Sequence, residues 1–170
     1  MKRLTLAAPM LAIALALIPG SAGAEEVDPV SWEVLQDRLP EPPSGWNAGE
    51  AEGQTLSSSG FTASMAERSY GSSSADGEDV KVTIVDGAYS SATPWSSQFE
   101  TAFEYSSSEG HVRRTEVEGH PALDIYETPD NYQLLVKVSD RFFVYIESET
   151  EEARSLFAGM VDYDSLAGLE

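Results

Sequence analysis

The chain has 170 residues, with 10 basic against 29 acidic side chains, a formal net charge of −19 and no Cys. The missing thiols exclude disulfides, Cys-ligated zinc, iron–sulfur clusters and thiol nucleophiles, so stability must come from a packed core. The acid excess opposes nucleic acid and anionic lipid and attracts cations or basic partners; it is also the composition of a soluble surface in a saline habitat.

Taken in order, the chain begins with Lys2 and Arg3, an apolar run from Leu4 to Ile18, a Pro19-Gly20 breaker and Ala22-Gly23-Ala24 before Glu25. That is the order of a secretory signal peptide, whose apolar core is too short to span a bilayer stably. Residues 1–24 are therefore read as signal peptide and 25–170 as a single α+β domain. The protein is expected in the periplasm or secreted, with no stable membrane insertion after cleavage. Losing Lys2 and Arg3 leaves 8 basic against 29 acidic side chains, a balance of −21. A chain of this length buries about 68–70% of its unfolded surface, enough for one self-sufficient core.

Asp28-Pro29 predicts a helix over Val30 to Leu39, with the acid as N-cap, Pro in the first turn and an apolar stripe of Trp32, Leu35 and Leu39. Pro40, Pro42 and Pro43 end it, and PPSGW delivers Trp46 into the next segment. Gly53 to Gly60 predicts an edge or partner strand for the alternation Phe61, Ala63, Met65. After the polar turn GSSSADGED, Val80, Val82 and Ile84 alternate and stop at Asp86-Gly87. Thr93-Pro94-Trp95 opens a second helix with Trp95, Phe99, Ala102 and Phe103 on one stripe.

HVRRTEVE, from His111, reads as an edge strand guarded by charge. The block from Glu118 to Val161 then supplies three strands and a helix. Leu123 and Ile125 share one face of the first, and Leu134, Val136 and Val138 one face of the second. Phe142, Val144 and Ile146 oppose Phe143 and Tyr145 in the third, which is apolar on both faces and so central. Ser148 with Glu151, or Thr150, caps a helix whose stripe is Ala153, Leu156, Phe157, Met160 and Val161, and Leu166 and Leu169 provide a last docking turn.

Consecutive strands with interspersed helices predict a mostly antiparallel sheet of about six or seven strands covered by helices. The leading helix, the PPSGW turn, the helix TPWSSQFETAF and the closing SDRFFVYIES with its helix resemble a family of small exported proteobacterial proteins of unknown function. More distantly they resemble the Mog1/PsbP-like α/β/α sandwich. The resemblance implies that fold, export and a binding or assembly role, and it carries no catalytic residue onto this chain.

The candidate sites are few. No G-x-S-x-G elbow accompanies the many Ser residues, so a Ser-His-Asp set is not expected, and no Gly-rich phosphate cradle opens a helix. His111, Glu116, Glu118, His120 and Asp124 crowd two neighbouring strands and pose a metal-site question, although no H-E-x-x-H or zinc spacing is present. Asp76-Gly77-Glu78-Asp79 offers oxygens without EF-hand spacing and reads as a solvated turn. Arg113 and Arg114 read as solvated edge charges, and Asp140-Arg141 as a turn. Trp46, Tyr70, Tyr89 and Tyr126 are the aromatic candidates for a binding surface, by position alone. No catalytic, metal or cofactor residue is assigned and no cofactor is expected. The leading reading is a non-enzymatic binding or accessory protein with an envelope protein as partner and no nucleic acid; the alternative is an acidic small-molecule or divalent-cation binder.

Overall fold

The structure is a computed structural model that describes residues 27–169 apart from 59, 60, 75 and 76. The signal-peptide reading of residues 1–24 and the Asp76 end of the acidic turn lie outside the described residues. In chain order the elements are α1 (Trp32–Gln36), β1 (Trp46–Ala48), β2 (Glu52–Ser58), β3 (Phe61–Ser72), β4 (Asp79–Asp86), α2 (Pro94–Thr101), β5 (Tyr105–Ser107), β6 (Gly110–Val117), β7 (His120–Glu127), β8 (Asn131–Val138), β9 (Phe142–Ser148), α3 (Glu151–Ala158) and α4 (Tyr163–Ala167). The strands form one sheet in the order β1-β3-β4-β9-β8-β7-β6-β5, with β2 pairing β3 on the same side as β1. Every pairing is antiparallel. No helix among the described residues is long and apolar enough to cross a membrane.

This overturns the expected fold class. Among the described residues the sheet has nine strands, strand accounts for 46% and helix for 19%, so the fold is sheet-dominated and is not a helix-covered α/β/α sandwich. The physical reason is helix length. α1, α2, α3 and α4 have 5, 8, 8 and 5 residues, too few to roof a sheet of this width. The strands themselves supply most of both apolar layers. On one face Ala66, Val82, Ile84, Leu134, Val144 and Ile146 pack with α1, α3 and α4; on the other Val85, Leu123, Leu135 and Phe143 pack with Phe99 of α2.

β9 lies between β4 and β8, and Phe142, Phe143, Val144 and Ile146 are each at most 1% exposed. An apolar run on both faces is what a strand buried from both sides requires. Burying each such side chain contributes about 1.5–3 kcal/mol, so this strand anchors both layers.

Several local expectations change. α1 starts at Trp32 rather than Val30, and Asp28 does not cap it: its carbonyl accepts from Arg141 Nη2 at 3.3 Å. α2 starts as expected, with the Thr93 hydroxyl accepting from the Ser96 amide at 3.2 Å, but it ends at Thr101, and Phe103 is 82% exposed instead of in the core. Thr150, not Ser148, caps α3 by accepting from the Ala153 amide at 3.2 Å. α3 buries Ala153, Arg154, Phe157 and Ala158, whereas Leu156 is 43% exposed. Its buried stripe is thus rotated toward β8 and carries a charge. β6 is not the outermost strand, but β5 pairs only with Gly110 to Val112, which leaves most of β6 at the margin of the sheet.

β6 and β7 are joined by a two-residue hairpin loop, with Val117 opposite His120 and left-handed φ values of 50° at Glu118 and 84° at Gly119. Both central residues of this turn type need positive φ, so Gly119 accepts what a side chain would resist. The turn leaves Glu118 exposed at the sheet margin.

Candidate functional site

Alternation along β7 places Ala122, Asp124 and Tyr126 on the face shared with α3. Asp124 is the charged member of that row. Its Oδ1 accepts from Arg154 Nη1 of α3, and its Oδ2 lies 3.1 Å from Nε2 of His111 on β6. Arg154 Nη1 also reaches the Gln133 carbonyl at 3.4 Å. One carboxylate thus joins a strand residue, a neighbouring strand residue and a helix residue, 13 and 30 positions away in sequence.

Arg154 is 7% exposed, among the most buried charges of the described residues. Burying a guanidinium costs several kcal/mol unless its donors are satisfied. Here the satisfaction is one-sided. Arg154 Nε is buried with no acceptor, and Nη2 has only the Glu151 carboxylate at 3.7 Å, beyond hydrogen-bond reach. Arg38 and Arg68 also leave Nε without an acceptor, but both are more exposed and neither lines the cavity described next.

That cavity is an open groove of about 340 Å³ between α3 and the β6–β7 hairpin. Asp124 and Arg154 lie in it beside Leu134; Ser155, Ala158 and Gly159 make the helix wall, and Thr115 to Glu118 the strand wall. α3 packs over β4, β9 and β8, so its free flank and the projecting hairpin bound the groove. Its volume falls at the lower end for small-molecule sites.

The residues that posed the metal-site question do not come together. Cross-strand register puts Glu116 opposite Pro121 and Val117 opposite His120, so Glu116 faces away from Asp124, and His120 packs against Tyr163 at 5.5 Å between ring centroids. Of the crowd, only His111 and Asp124 meet. Among the described residues no three His, Asp or Glu side chains gather as metal ligands.

The aromatic candidates separate in the same way. Tyr70 is 1% exposed, donates to the Pro40 carbonyl at 2.7 Å and packs on Phe157; burial pushes its hydroxyl pKa up to about 12. Trp46 packs edge-on against Phe157 at 5.0 Å. Tyr89 lies 5.4 Å from the Arg141 guanidinium. Tyr126 alone borders the ion-paired cluster, stacked on Tyr132 at 4.5 Å and 5.9 Å from His111. Burial, then the neighbouring Tyr126, raises the Tyr132 hydroxyl pKa.

Arg113 and Arg114 are exposed and Asp140-Arg141 lies in the turn between β8 and β9, but two of these arginines also hold the fold together. Arg114 Nη2 donates to the Phe99 carbonyl near the α2 C-terminus at 3.2 Å, a favourable place for a cation. Arg141 is 4% exposed and donates through Nε and Nη2 to both oxygens of Asp86, which is 0% exposed. The hydrogen bond that Arg141 donates to Asp86 is the main reason the arginine's pKa is raised. Asp86 also accepts from the Val30 and Ala88 amides at 2.7 and 2.8 Å. Arg141 thus spends Nε and Nη2 on one buried carboxylate, whereas the Nε of Arg154 has no acceptor.

The residue that sequence reasoning missed is Arg154. Its signal was present: Ala153, Arg154, Phe157 and Ala158 form two adjacent i, i+4 rows, and an Arg on such a face calls for a carboxylate.

Set against protein-family models, curated proteins and solved structures, the chain has no significant match in any of the three comparisons.

Proposed function

We propose that the protein is a non-enzymatic binding protein that works outside the cytoplasm, in the periplasm or secreted, through the groove between α3 and the β6–β7 hairpin. One observation carries the reading. A nine-tenths buried guanidinium lines an open groove with one side spent on Asp124 and the other side unspent. A fold that needed only packing there would place an apolar side chain at that position. The contrast with Arg141, whose Nε and Nη2 both end on Asp86, supports it. Binding rather than turnover is supported by His111, whose hydrogen bond among the described residues goes to Asp124 and not to a hydroxyl that it could activate. The leader-like residues 1–24 and the resemblance to small exported proteins support the location.

Native mass spectrometry of the full chain produced in a bacterial host tests both parts. The expected result is a protein lacking residues 1–24 that carries an additional small mass, with that mass absent from Ser155→Trp and Thr115→Trp, which fill the groove from exposed positions. A bare protein, or a mass retained equally by both variants, contradicts the groove. A protein recovered in the cytoplasm with residues 1–24 intact contradicts the location.

A further inference from the structure

We infer that the outer edge of β2 is a strand-addition site for an extended segment of a partner protein, one that places a lysine or arginine beside Glu52 and Glu67. This edge lies toward the opposite end of the sheet from the groove and is independent of it.

The hydrogen-bond pattern of β2 follows from its hairpin. Ser58 and Phe61 face each other across a two-residue connection, so they exchange backbone hydrogen bonds, and alternation along an antiparallel pair makes Leu56, Gln54 and Glu52 bond β3 as well. Gly53, Thr55 and Ser57 therefore turn their N–H and C=O groups away from β3. Among the described residues no strand pairs with that side of β2, and no backbone group from outside the sheet bonds these positions.

The neighbouring margins are guarded, and this one is not. At the far end of the sheet β5 is three residues long, and the Glu104 carboxylate accepts from the Arg114 amide at 3.0 Å, closing the edge of β6 just beyond it. On the near side a bulge separates β1 from β2, with residues 49–51 standing against 68 and 69, and its Ala51 carbonyl accepts from Gln36 Nε2 at 2.9 Å. Short strands, charges and bulges are what keep sheet edges from pairing. β2 has seven residues, EGQTLSS, with no Lys, Arg or Pro and with Glu52 as its one charge. Such an edge binds another strand through its main chain, and the side chains beside it select which strand.

Those side chains ask for a cation. The Trp32 ring of α1 lies where a Cβ on Gly53 would point, so Glu52 and Gln54 point to the opposite face. There Glu52, Gln54, Met65 and Glu67 surround an open notch of about 150 Å³ beside the Gly53 backbone. A strand added along β2 brings every second side chain to that face. Two carboxylates and a thioether suit a long aliphatic stem with a charged end. The cation already on this face, Lys81, lies diagonal to Glu67 and is paired with Glu147 at 2.8 Å. Arg68 belongs to the other face, where it reaches Glu41 at 3.9 Å. A second copy of β2, run antiparallel about Thr55, satisfies the same backbone groups but brings two chains of −19 together. The same field draws in a basic segment.

The test selects random octapeptides, displayed between glycine linkers, on the full chain as produced in a bacterial host. The selected peptides are then synthesised and titrated, with amide hydrogen exchange read by nuclear magnetic resonance. The expected peptides carry a lysine or arginine among β-branched residues, and on binding they slow exchange at Gly53, Thr55 and Ser57 about tenfold or more. Thr55→Pro removes one outward N–H at a place where an edge strand tolerates proline, and weakens binding about tenfold or more. Glu52→Gln and Glu67→Gln each weaken it about two- to fivefold. N-methylation of alternate peptide residues abolishes binding to the unaltered protein in the register that faces β2 and spares it in the other, which decides the matter should Thr55→Pro fail to fold. No enrichment over a blank support, full binding to a folded Thr55→Pro, or equal effects of the two methylation registers overturns strand addition. Selected peptides without a basic residue overturn the partner's chemistry. Amides at Gly53, Thr55 and Ser57 that already exchange slowly in the unliganded protein show a filled edge and also overturn the inference; protection that survives dilution assigns the edge to the chain itself, and protection that fades assigns it to a second copy.

Discussion

Asp86 and Arg141 meet through two hydrogen bonds of 3.0 and 2.9 Å, with side chains 0% and 5% exposed. The aspartate ends β4 and the arginine precedes β9, and the same carboxylate holds the amides of Val30 and Ala88. The pair therefore ties the N-terminal approach segment and the loop after β4 to the centre of the sheet. Removing one partner leaves a buried charge uncompensated, which costs about 3–5 kcal/mol. Arg141→Met is expected to lose that much in urea denaturation at neutral pH. A loss under about 1 kcal/mol would mean that the pair is incidental.

Stability should also fall on the alkaline side. The hydroxyl of Tyr70 has its pKa raised from 10.0 to about 12, mainly because it is buried, and burial likewise raises those of Tyr145 and Tyr163. A raised folded pKa means that the neutral form is favoured in the native state. The stabilisation is fully present below the unfolded value near 10 and is lost as pH rises through the folded value near 12. For Tyr70 the effect is about 2–3 kcal/mol. Denaturant midpoints measured from neutral pH upward should hold steady to about pH 10 and then drop, with tyrosinate absorbance appearing together with unfolding. Tyr70→Phe should shrink the drop. Tyrosinate absorbance at full amplitude near pH 10, with the fold intact, would contradict the burial argument.

Salt has the opposite sign from that of a protein held by surface ion pairs. Lys81–Glu147 and Lys137–Asp140 are at 2.8 Å on partly exposed side chains, and such pairs contribute about 0–1 kcal/mol each. Self-repulsion of a chain at −19 is spread over the whole surface and is relieved by screening. Between ~0.01 M and ~1 M sodium chloride the Debye length shortens from about 30 Å to about 3 Å, and the melting temperature is expected to rise. A falling melting temperature would show that the pairs outweigh the repulsion.

The parts of the fold that were legible in the sequence are those written in strict alternation or by a capping residue. Val80 to Ile84 and Leu134 to Val138 are strands because their apolar positions repeat at period two, Phe142 to Ile146 is legible as a short apolar run bounded by turns, and Thr93-Pro94 opens α2 because Thr can accept from Ser96. What was not legible is coverage. Short strands such as Tyr105–Ser107, exposed at every position, carry no apolar pattern, and the ends of α1 and α2 depend on tertiary packing that periodicity does not encode. The candidate site was half legible. His111 and Asp124 attract notice as titratable residues on neighbouring strands, but alternation cannot tell that Asp124 looks toward a helix 30 residues later. Arg154 was concealed by reading Leu156 into the stripe in its place. Arg141 was concealed because Asp140 beside it makes an ordinary turn, and only the fold brings it to Asp86, 55 positions away.

The proposed binding role keeps Arg154 in the groove for what it binds and not for what it holds together. Equilibrium urea denaturation of the double variant Asp124→Leu with Arg154→Met separates these roles, because it removes both charges at once and leaves neither uncompensated. Exchanging a buried ion pair for apolar side chains of similar volume is neutral or stabilising by about 1–4 kcal/mol where the pair is not a folding element. The result predicted here is a variant at least as stable as the wild type; a loss of about 3 kcal/mol or more would contradict the claim and make the pair a structural bond between α3 and the sheet.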